Sequence, residues 1–439
     1  MKRLLFLLAL AACLDGAAQE HTGPWTLDDC IARALERNIS LQQRDLQVRQ
    51  QEIELDNARG SRLPSVSSSL SENFSFGRGL TADNTYSNTN TTSTGLNVGA
   101  SVPVFQGFRL KNAVRQGELN LEAATADLGA ARDNIRVAVA QAFVQSLYNL
   151  ELLDVARRQV SIDSLQTERL VQLERSGKAS PAEVAQQRAE LGQSRLGATR
   201  AANNLHLSLL DLAQLLELPS AEGFTIVRPE AAVEGILLPA PESVYADAVA
   251  ERDVIRAEEL RRDASEWTVR MAKGAFLPSL SLSGGVGTNY YTMSAAPSAS
   301  FFDQMKNNFS QFLGLSLSVP VFTGRQNRNQ VRAATLSQHY QTLQLEQTKK
   351  TLFKEIQQAW SNAVAAQERY ASGLEAAQAA REAFELVKGR YENGKANVAE
   401  FAQSRDAMLR ADSEVVQARY ELLFGARLLD FYSSGEMTF

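Results

Sequence analysis

Residues Leu313-Gly314-Leu315-Ser316-Leu317-Ser318-Val319-Pro320-Val321-Phe322-Thr323-Gly324 decide how this chain is read. From Leu313 to Ser318 leucine alternates with glycine or serine, the period of a strand with one apolar and one polar face. An earlier stretch has the same plan: Leu96-Asn97-Val98-Gly99-Ala100-Ser101-Val102-Pro103-Val104-Phe105-Gln106-Gly107. The shared Val-Pro-Val-Phe-x-Gly segments lie 217 residues apart, and so do Gly177-Lys178-Ala179 and Gly394-Lys395-Ala396. A third match, Gly60-x-x-Leu63-Pro64-Ser65 with Gly274-x-x-Leu277-Pro278-Ser279, has an offset of 214. Three islands in the same order at almost one spacing indicate a tandem duplication.

Each repeat offers a second, weaker strand. Val66 to Phe76 alternates in the first, and Leu280 and Leu282 alternate with serines in the second. Thr81 to Gly95 is almost all Thr, Asn and Ser and reads as an exposed loop. The matching loop, roughly Gly287 to Asn308, carries Tyr290, Tyr291, Phe301 and Phe302. Two readings fit the strands: hairpins of a soluble sheet, or a membrane barrel wall with apolar residues to lipid and Ser, Asn or Gly to a wet lumen. Runs of about 10 residues have the length such a wall needs. Four strands cannot close a barrel, and open edges are not tolerated in hydrocarbon, so the second reading requires subunits to share one barrel.

Beyond each of these segments the period becomes helical. Val114, Leu121, Leu128, Ile135 and Ala142 fall seven apart, with Leu110, Gly117, Ala124, Ala131 and Ala138 on a parallel track. Leu345, Leu352, Ala359, Ala366, Gly373, Ala380 and Val387 repeat the design. Sustained heptads imply coiled-coil packing, and about 65 residues make a rod of roughly 100 Å. The rods reverse at Ser176-Gly177 and Asn393-Gly394, since glycine tolerates the left-handed conformation at a helix end. Return helices span about 181–216 and 397–431. The resulting organisation is a first repeat over 24–217, a linker over 218–241 (with a short strand at Phe224–Val227), a second repeat over 242–432 and a tail over 433–439. Within the repeats, helices are expected from Trp25 to about Arg59 and from about Glu242 to Lys273.

Composition excludes several classes. A net charge of −5 provides no basic footprint for nucleic acid. His21, His206 and His339 are widely separated, and no cluster has metal-ligand spacing, so neither metal nor cofactor is expected. No nucleophile–base pair stands out, and Gly284-Gly285-Val286-Gly287 lacks the following helix that a nucleotide site needs. Lys2-Arg3, an apolar run and Gly16-Ala17-Ala18 read as a signal peptide over residues 1–18. Leu10-Ala11-Ala12-Cys13 also fits a lipobox, with Cys13 acylated; either way the chain is exported. No stretch of 18 apolar residues suggests a transmembrane helix after it.

With these features assembled, the chain resembles the TolC-like outer-membrane efflux proteins. The residues that carry the resemblance are Trp25-Thr26-Leu27-Asp28-Asp29-Cys30-Ile31, Leu63-Pro64, both Val-Pro-Val-Phe-x-Gly segments and Arg390-Tyr391-Glu392-Asn393-Gly394. The resemblance implies a mainly α subunit with membrane β: a homotrimer sharing a 12-stranded outer-membrane β-barrel, continued by a periplasmic α-helical barrel. It implies an exit duct, joined by a periplasmic adaptor to an inner-membrane pump (RND, ABC or similar) and surrounded by outer-membrane lipid. The helix reversals, Gly177, Lys178 and Ala179 with Gly394, Lys395 and Ala396, would meet the adaptor. Glu183 and Glu400 match positions where gate aspartates are common, and Tyr391 matches a tyrosine of the gate network. Gln403 stands where a second carboxylate is often found, a departure that bears on the charge of any selectivity ring. From the residues alone, Glu183 and Glu400 read equally as first-turn glutamates favoured by the helix dipole, and the two lysines as solvated turn residues. The rival class is an exported coiled-coil structural or adhesin-like protein.

Overall fold

The computed structural model describes residues 23–80, 84–229, 235–294 and 298–437. The expected signal peptide and Cys13 lie outside them, as does part of the linker. Helices α1 (Leu27–Arg37) and α2 (Ile39–Gly60) precede β1 (Ser65–Ser75), the short β2 (Arg78–Leu80) and β3 (Tyr86–Asn88), and β4 (Thr91–Gln106). Then come α3 (Arg109–Arg175) and α4 (Pro181–Leu215). The second repeat runs α5 (Pro241–Glu251), α6 (Asp253–Gly274), β5 (Ser279–Met293), α7 (Phe301–Asn307), β6 (Ser310–Ser318), α8 (Gln326–Glu392) and α9 (Val398–Ser434).

Two compact units divide the chain, and each draws on both repeats. One takes the chain up to Asp45 with Leu128–Asp253 and everything from Lys349; the other takes Leu46–Asp127 and Val254–Thr348. In the first unit, Leu27, Cys30 and Ala34 of α1 pack with Phe143 and Leu147 of α3, Leu212 of α4 and Leu423 and Phe431 of α9. A capping box starts α1: Thr26 Oγ1 accepts from the Asp29 amide at 3.2 Å, while the Asp29 carboxylate accepts from the Thr26 amide at 3.1 Å. The expected linker strand is a single bridge, Ile226 beside Trp25, whose carbonyl accepts from the Val227 amide at 2.9 Å. Burial, with the Asp29 charge behind it, pushes the Cys30 thiol up to about 12. A maleimide at neutral pH should therefore leave native Cys30 unlabelled and label it after denaturation. Above an ordinary thiol pKa of 9.0 only the unfolded chain loses this proton, so its contribution to stability is full below that pH and declines as pH rises toward 12.

Each long expected helix before a sheet is in fact two. The breaks fall at Asn38 and Arg252, 214 residues apart, where the backbone turns extended (ψ 125° and 128°). Asn38 Nδ2 donates to the Leu215 carbonyl at 3.1 Å, and Arg252 Nε donates to the Tyr432 carbonyl at 3.2 Å. The two breaks thus dock on equivalent points of α4 and α9, 217 residues apart. The arginine also pairs with Asp133 at 3.0 Å and lies 4.4 Å from the Phe431 ring.

In the second unit a four-stranded antiparallel sheet has the order β1-β4-β5-β6. Register gathers Val66 and Leu70 of β1, Leu96, Val98 and Val102 of β4, Leu280, Leu282 and Val286 of β5, and Leu313, Leu315 and Leu317 of β6 on one face. The opposite face is Ser65, Ser67 and Ser69, then Asn97, Gly99 and Ser101, then Ser281, Ser283 and Gly285, then Gly314, Ser316 and Ser318, with Phe312 and Tyr291 as its aromatics. Both faces are open: Leu70 is 74% exposed and Leu313 81% on the apolar one, and Ser65, Ser67 and Ser69 of β1 with Ser316 and Ser318 of β6 are exposed on the other. The Thr81–Gly95 stretch, expected as loop, already enters β3 at Tyr86 and β4 at Thr91, because backbone pairing, of β3 to β2 and of β4 to β1 and β5, needs no apolar side chain. The Gly287–Asn308 stretch likewise extends β5 to Met293 and forms α7, which covers the β5 edge beyond the reach of β6. Gln304 brackets Tyr291, accepting from its amide at 3.0 Å and donating to its carbonyl at 2.9 Å, and Asn308 donates to the Asn289 carbonyl at 2.7 Å.

Candidate gate region at the helix reversals

The two reversals are built alike, bond for bond. Gly177 and Gly394 have φ of 73° and 72°, and the following lysine amides, Lys178 and Lys395, each bond at 2.8 Å to the carbonyls of Leu173 and Arg390. Such a left-handed glycine satisfies the carbonyls left over at a helix end. Lys178 and Lys395 are exposed, and Ala179 and Ala396 half-buried. Ser180 then caps α4. Its Oγ accepts from the Glu183 amide at 3.3 Å, while Glu183 Oε2 accepts from the Ser180 amide at 2.7 Å and from its hydroxyl at 3.0 Å. Those bonds hold the Glu183 carboxyl below the usual carboxylate range. Asn397 caps α9, accepting from the Glu400 amide at 2.8 Å and donating to its carboxylate at 3.1 Å; Arg390 lies 3.6 Å from the same carboxylate. Locally, then, Glu183 closes a capping box, while Glu400 braces the side chain of the Asn397 cap. Gln403 is exposed on α9, one turn past Glu400.

Tyr391 ties the hairpins together. Its ring stacks on Phe401 of α9 at 5.0 Å, and the Arg169 guanidinium of α3 lies 6.0 Å from it. Burial pushes the phenol up, against Gln166 and Arg169, which pull it down, and the Glu183 charge raises it further. Arg169 also donates to the Glu392 carbonyl at 2.9 Å.

Sequence reasoning missed a second tie. Arg405 of α9 and Asp163 of α3 form an ion pair 1% and 0% exposed, and the Ser194 hydroxyl of α4 donates to the same aspartate. Arg405 also reaches Asp406 at 2.8 Å and Glu190 at 3.5 Å. A signal existed. Counting on by sevens from Ala142 reaches Asn149, Ala156 and Asp163, and Arg405 falls on the buried track Val398, Phe401, Leu409. A polar residue on a heptad core position marks a specified pairing. The duplication gave no help, because Arg188, the repeat equivalent of Arg405, is exposed.

The sequence pattern of one family, Outer membrane efflux protein, matches residues 30–217 and 244–427. The chain belongs to that family. This chain is 28% identical over 322 residues to the fusaric acid resistance protein FusA of Burkholderia cepacia, covering 70% of itself and 57% of FusA. It thus spans little more than half the length of that relative. With the outer membrane efflux protein BepC of Brucella suis it shares 22% over 426 residues, 94% of this chain and 86% of BepC. Its fold is that of the Campylobacter jejuni CmeC outer membrane channel, with a TM-score of 0.79 at 19% identity over 93% of this chain and 85% of CmeC. CusC superposes with a TM-score of 0.78 at 18% identity, covering 93% and 92%.

Proposed function

We propose that this protein is one subunit of an outer-membrane exit duct, which passes cargo outward from an inner-membrane pump of RND, ABC or similar class through a periplasmic adaptor. One observation carries the reading: a sheet with an uncovered leucine and valine face, an uncovered serine, asparagine and glycine face, and two open edges. Such a sheet is stable in water on neither its apolar face nor its edges. Lipid suits the first, and three copies in a ring, giving twelve strands, abolish the second. A coiled-coil assembly protein has no use for an apolar sheet face.

In this reading the helix reversals ring the periplasmic mouth, with Lys178 and Lys395 offered to an acidic adaptor surface. Glu183 and Glu400, three of each, make the mouth attractive to cations; Gln403 adds no charge. Tyr391, beneath the Arg169 guanidinium of α3 and stacked on Phe401 of α9, holds adjacent hairpins together and resists opening. The test is reconstitution: membrane fractionation with a trimer in mild detergent and single-channel conductance in planar bilayers. Glu400→Gln is expected to weaken block by a divalent or trivalent cation, and an unaltered response would remove Glu400 from the gate. A soluble periplasmic species would sink the duct.

A further inference from the structure

Tyr290 near the end of β5 and Phe301 and Phe302 of α7 are aromatics that neither the middle of the apolar wall nor the gate employs. Phe302 is 82% exposed, although α7 is held firmly from another side. Gln304 and Asn308 pin the helix to the β5 edge, and Ser300 caps it, accepting from the Asp303 amide at 3.2 Å. At 3.6 residues per turn, Phe301, Met305 and Phe302 share an arc of about 100°, with Lys306 at its border and Asp303, Gln304 and Asn307 on the rest. We propose that α7 lies in the membrane surface, with Phe301 and Phe302 inserted at the headgroup–acyl boundary of the outer leaflet. This rests on the duct reading and gives the helix to lipid rather than to the mouth of the lumen.

The side of the sheet toward which α7 leans decides between those two places. Pairing runs along β5 without a skipped residue from Leu280 to Met293, so Thr288 and Tyr290 stand on the same face as Leu282 and Val286. The Phe301 ring meets the Tyr290 ring at 5.1 Å, and Phe302 packs edge-on against Phe301 at 5.5 Å. The Thr288 hydroxyl donates to the Met305 carbonyl at 2.6 Å. The apolar arc of α7 therefore continues the leucine and valine wall and turns away from the serine and glycine face.

Depth follows from separate residues. The strand ends at Ser65, Gln106, Ser279 and Ser318 lead to helices and mark the periplasmic rim, so Tyr290 stands toward the outside. Glu72 of β1 and Thr94 of β4 share its row and its face, and the Thr94 hydroxyl donates to the Glu72 carboxylate. A carboxylate on the lipid face belongs among headgroups, not in hydrocarbon. From Leu280 to Tyr290 the strand rises about 33 Å, or about 25 Å along the membrane normal at a tilt of about 40°, the height of the apolar band of such a barrel. Phe74 of β1, one row beyond Glu72 on the same face, is exposed there as well. The rings of α7 thus stand at the level where aromatic side chains favour the interface.

A dye on α7 reads its surroundings directly. The full chain with Phe302→Cys, and separately with Lys306→Cys, is labelled with an environment-sensitive fluorophore, while buried Cys30 stays unlabelled. Trimers are reconstituted in vesicles of phosphatidylethanolamine and phosphatidylglycerol. At position 302 a nitroxide near the headgroup end of the lipid chain should quench more than one at the chain terminus. Iodide quenching there should fall at least about threefold below that of the free dye adduct, because burial by roughly 5–10 Å removes a group from aqueous reach. Position 306 should show the same lipid order with weaker protection from iodide, and adding Phe301→Ser with Phe302→Ser should abolish its lipid quenching. Lys306 is exposed, so its substitution removes no packing and decides the matter if Phe302→Cys fails to assemble. Iodide quenching equal to that of the free dye at position 306 in conducting trimers, stronger quenching from the chain terminus, or an unchanged signal in the serine variant overturns the anchor and leaves the duct standing. An unsubstituted chain that forms no trimer removes both.

Discussion

Replacing Arg405 with leucine is expected to destabilise the helical unit by about 3–5 kcal/mol, the usual cost of leaving a buried charge without its partner. Asp163 is fully buried, so without the guanidinium it keeps the Ser194 hydroxyl and cannot reach water. Glu190 and Asp406, at 39% and 48% side-chain exposure, can turn outward and suffer less. Burial pushes the Arg405 guanidinium down, but its hydrogen bond to Asp406 and the charges of Asp163, Asp406 and Glu190 push it up further, so no accessible pH discharges it. Charge rather than packing dominates this site, which the double variant Arg405→Leu with Asp163→Leu examines. Apolar replacement of both partners of a buried pair is often neutral, so the double variant should recover most of the loss. Urea unfolding in detergent, followed by circular dichroism, measures both. Equal losses in the single and double variants would show that cavity formation outweighs the ion pair. Because Asp163, Ser194 and Arg405 sit on α3, α4 and α9, the single variant should also raise open-channel probability in bilayers.

Leu315→Arg is the second large effect expected. An arginine on the lipid face of a membrane strand costs about 2–4 kcal/mol near the bilayer midplane, and a trimer bears that cost three times. Leu315 is 66% exposed and lies opposite Leu282, itself beside Val102, in the middle of the apolar face. Trimer recovered from the outer-membrane fraction should fall sharply. Ser316→Arg, one residue along and on the other face, should assemble normally and shift conductance and ion selectivity instead. Normal assembly of Leu315→Arg, or loss of assembly with Ser316→Arg, would reverse the orientation of the wall.

Much of this molecule is legible without coordinates. Alternation at Leu313–Ser318 and Leu96–Val102 marks strands because side chains on a pleated backbone repeat every second residue. The heptads of α3 and α8 mark long helices for the same kind of reason. Gly177 and Gly394 mark reversals because only a residue without Cβ adopts that backbone freely. These signals are local, so sequence order carries them.

The rest depends on neighbours far apart in the chain. The Asn38 and Arg252 breaks are invisible to periodicity, because each is imposed by a carbonyl on a helix some 180 residues away. The same Val-Pro-Val-Phe-x-Gly segment is a bulged strand at 102–107 and unpaired at 319–324, since only the first copy has a strand beside it in its own chain. Arg405 and its exposed twin Arg188 have the same residue type and different fates, decided by whether Asp163 stands opposite. Sequence by itself determined the four main strands, the long helices with their reversals, and the family. Tertiary structure decided which polar groups are buried together and which strand edges remain open, because both depend on contacts between segments that local pattern cannot encode.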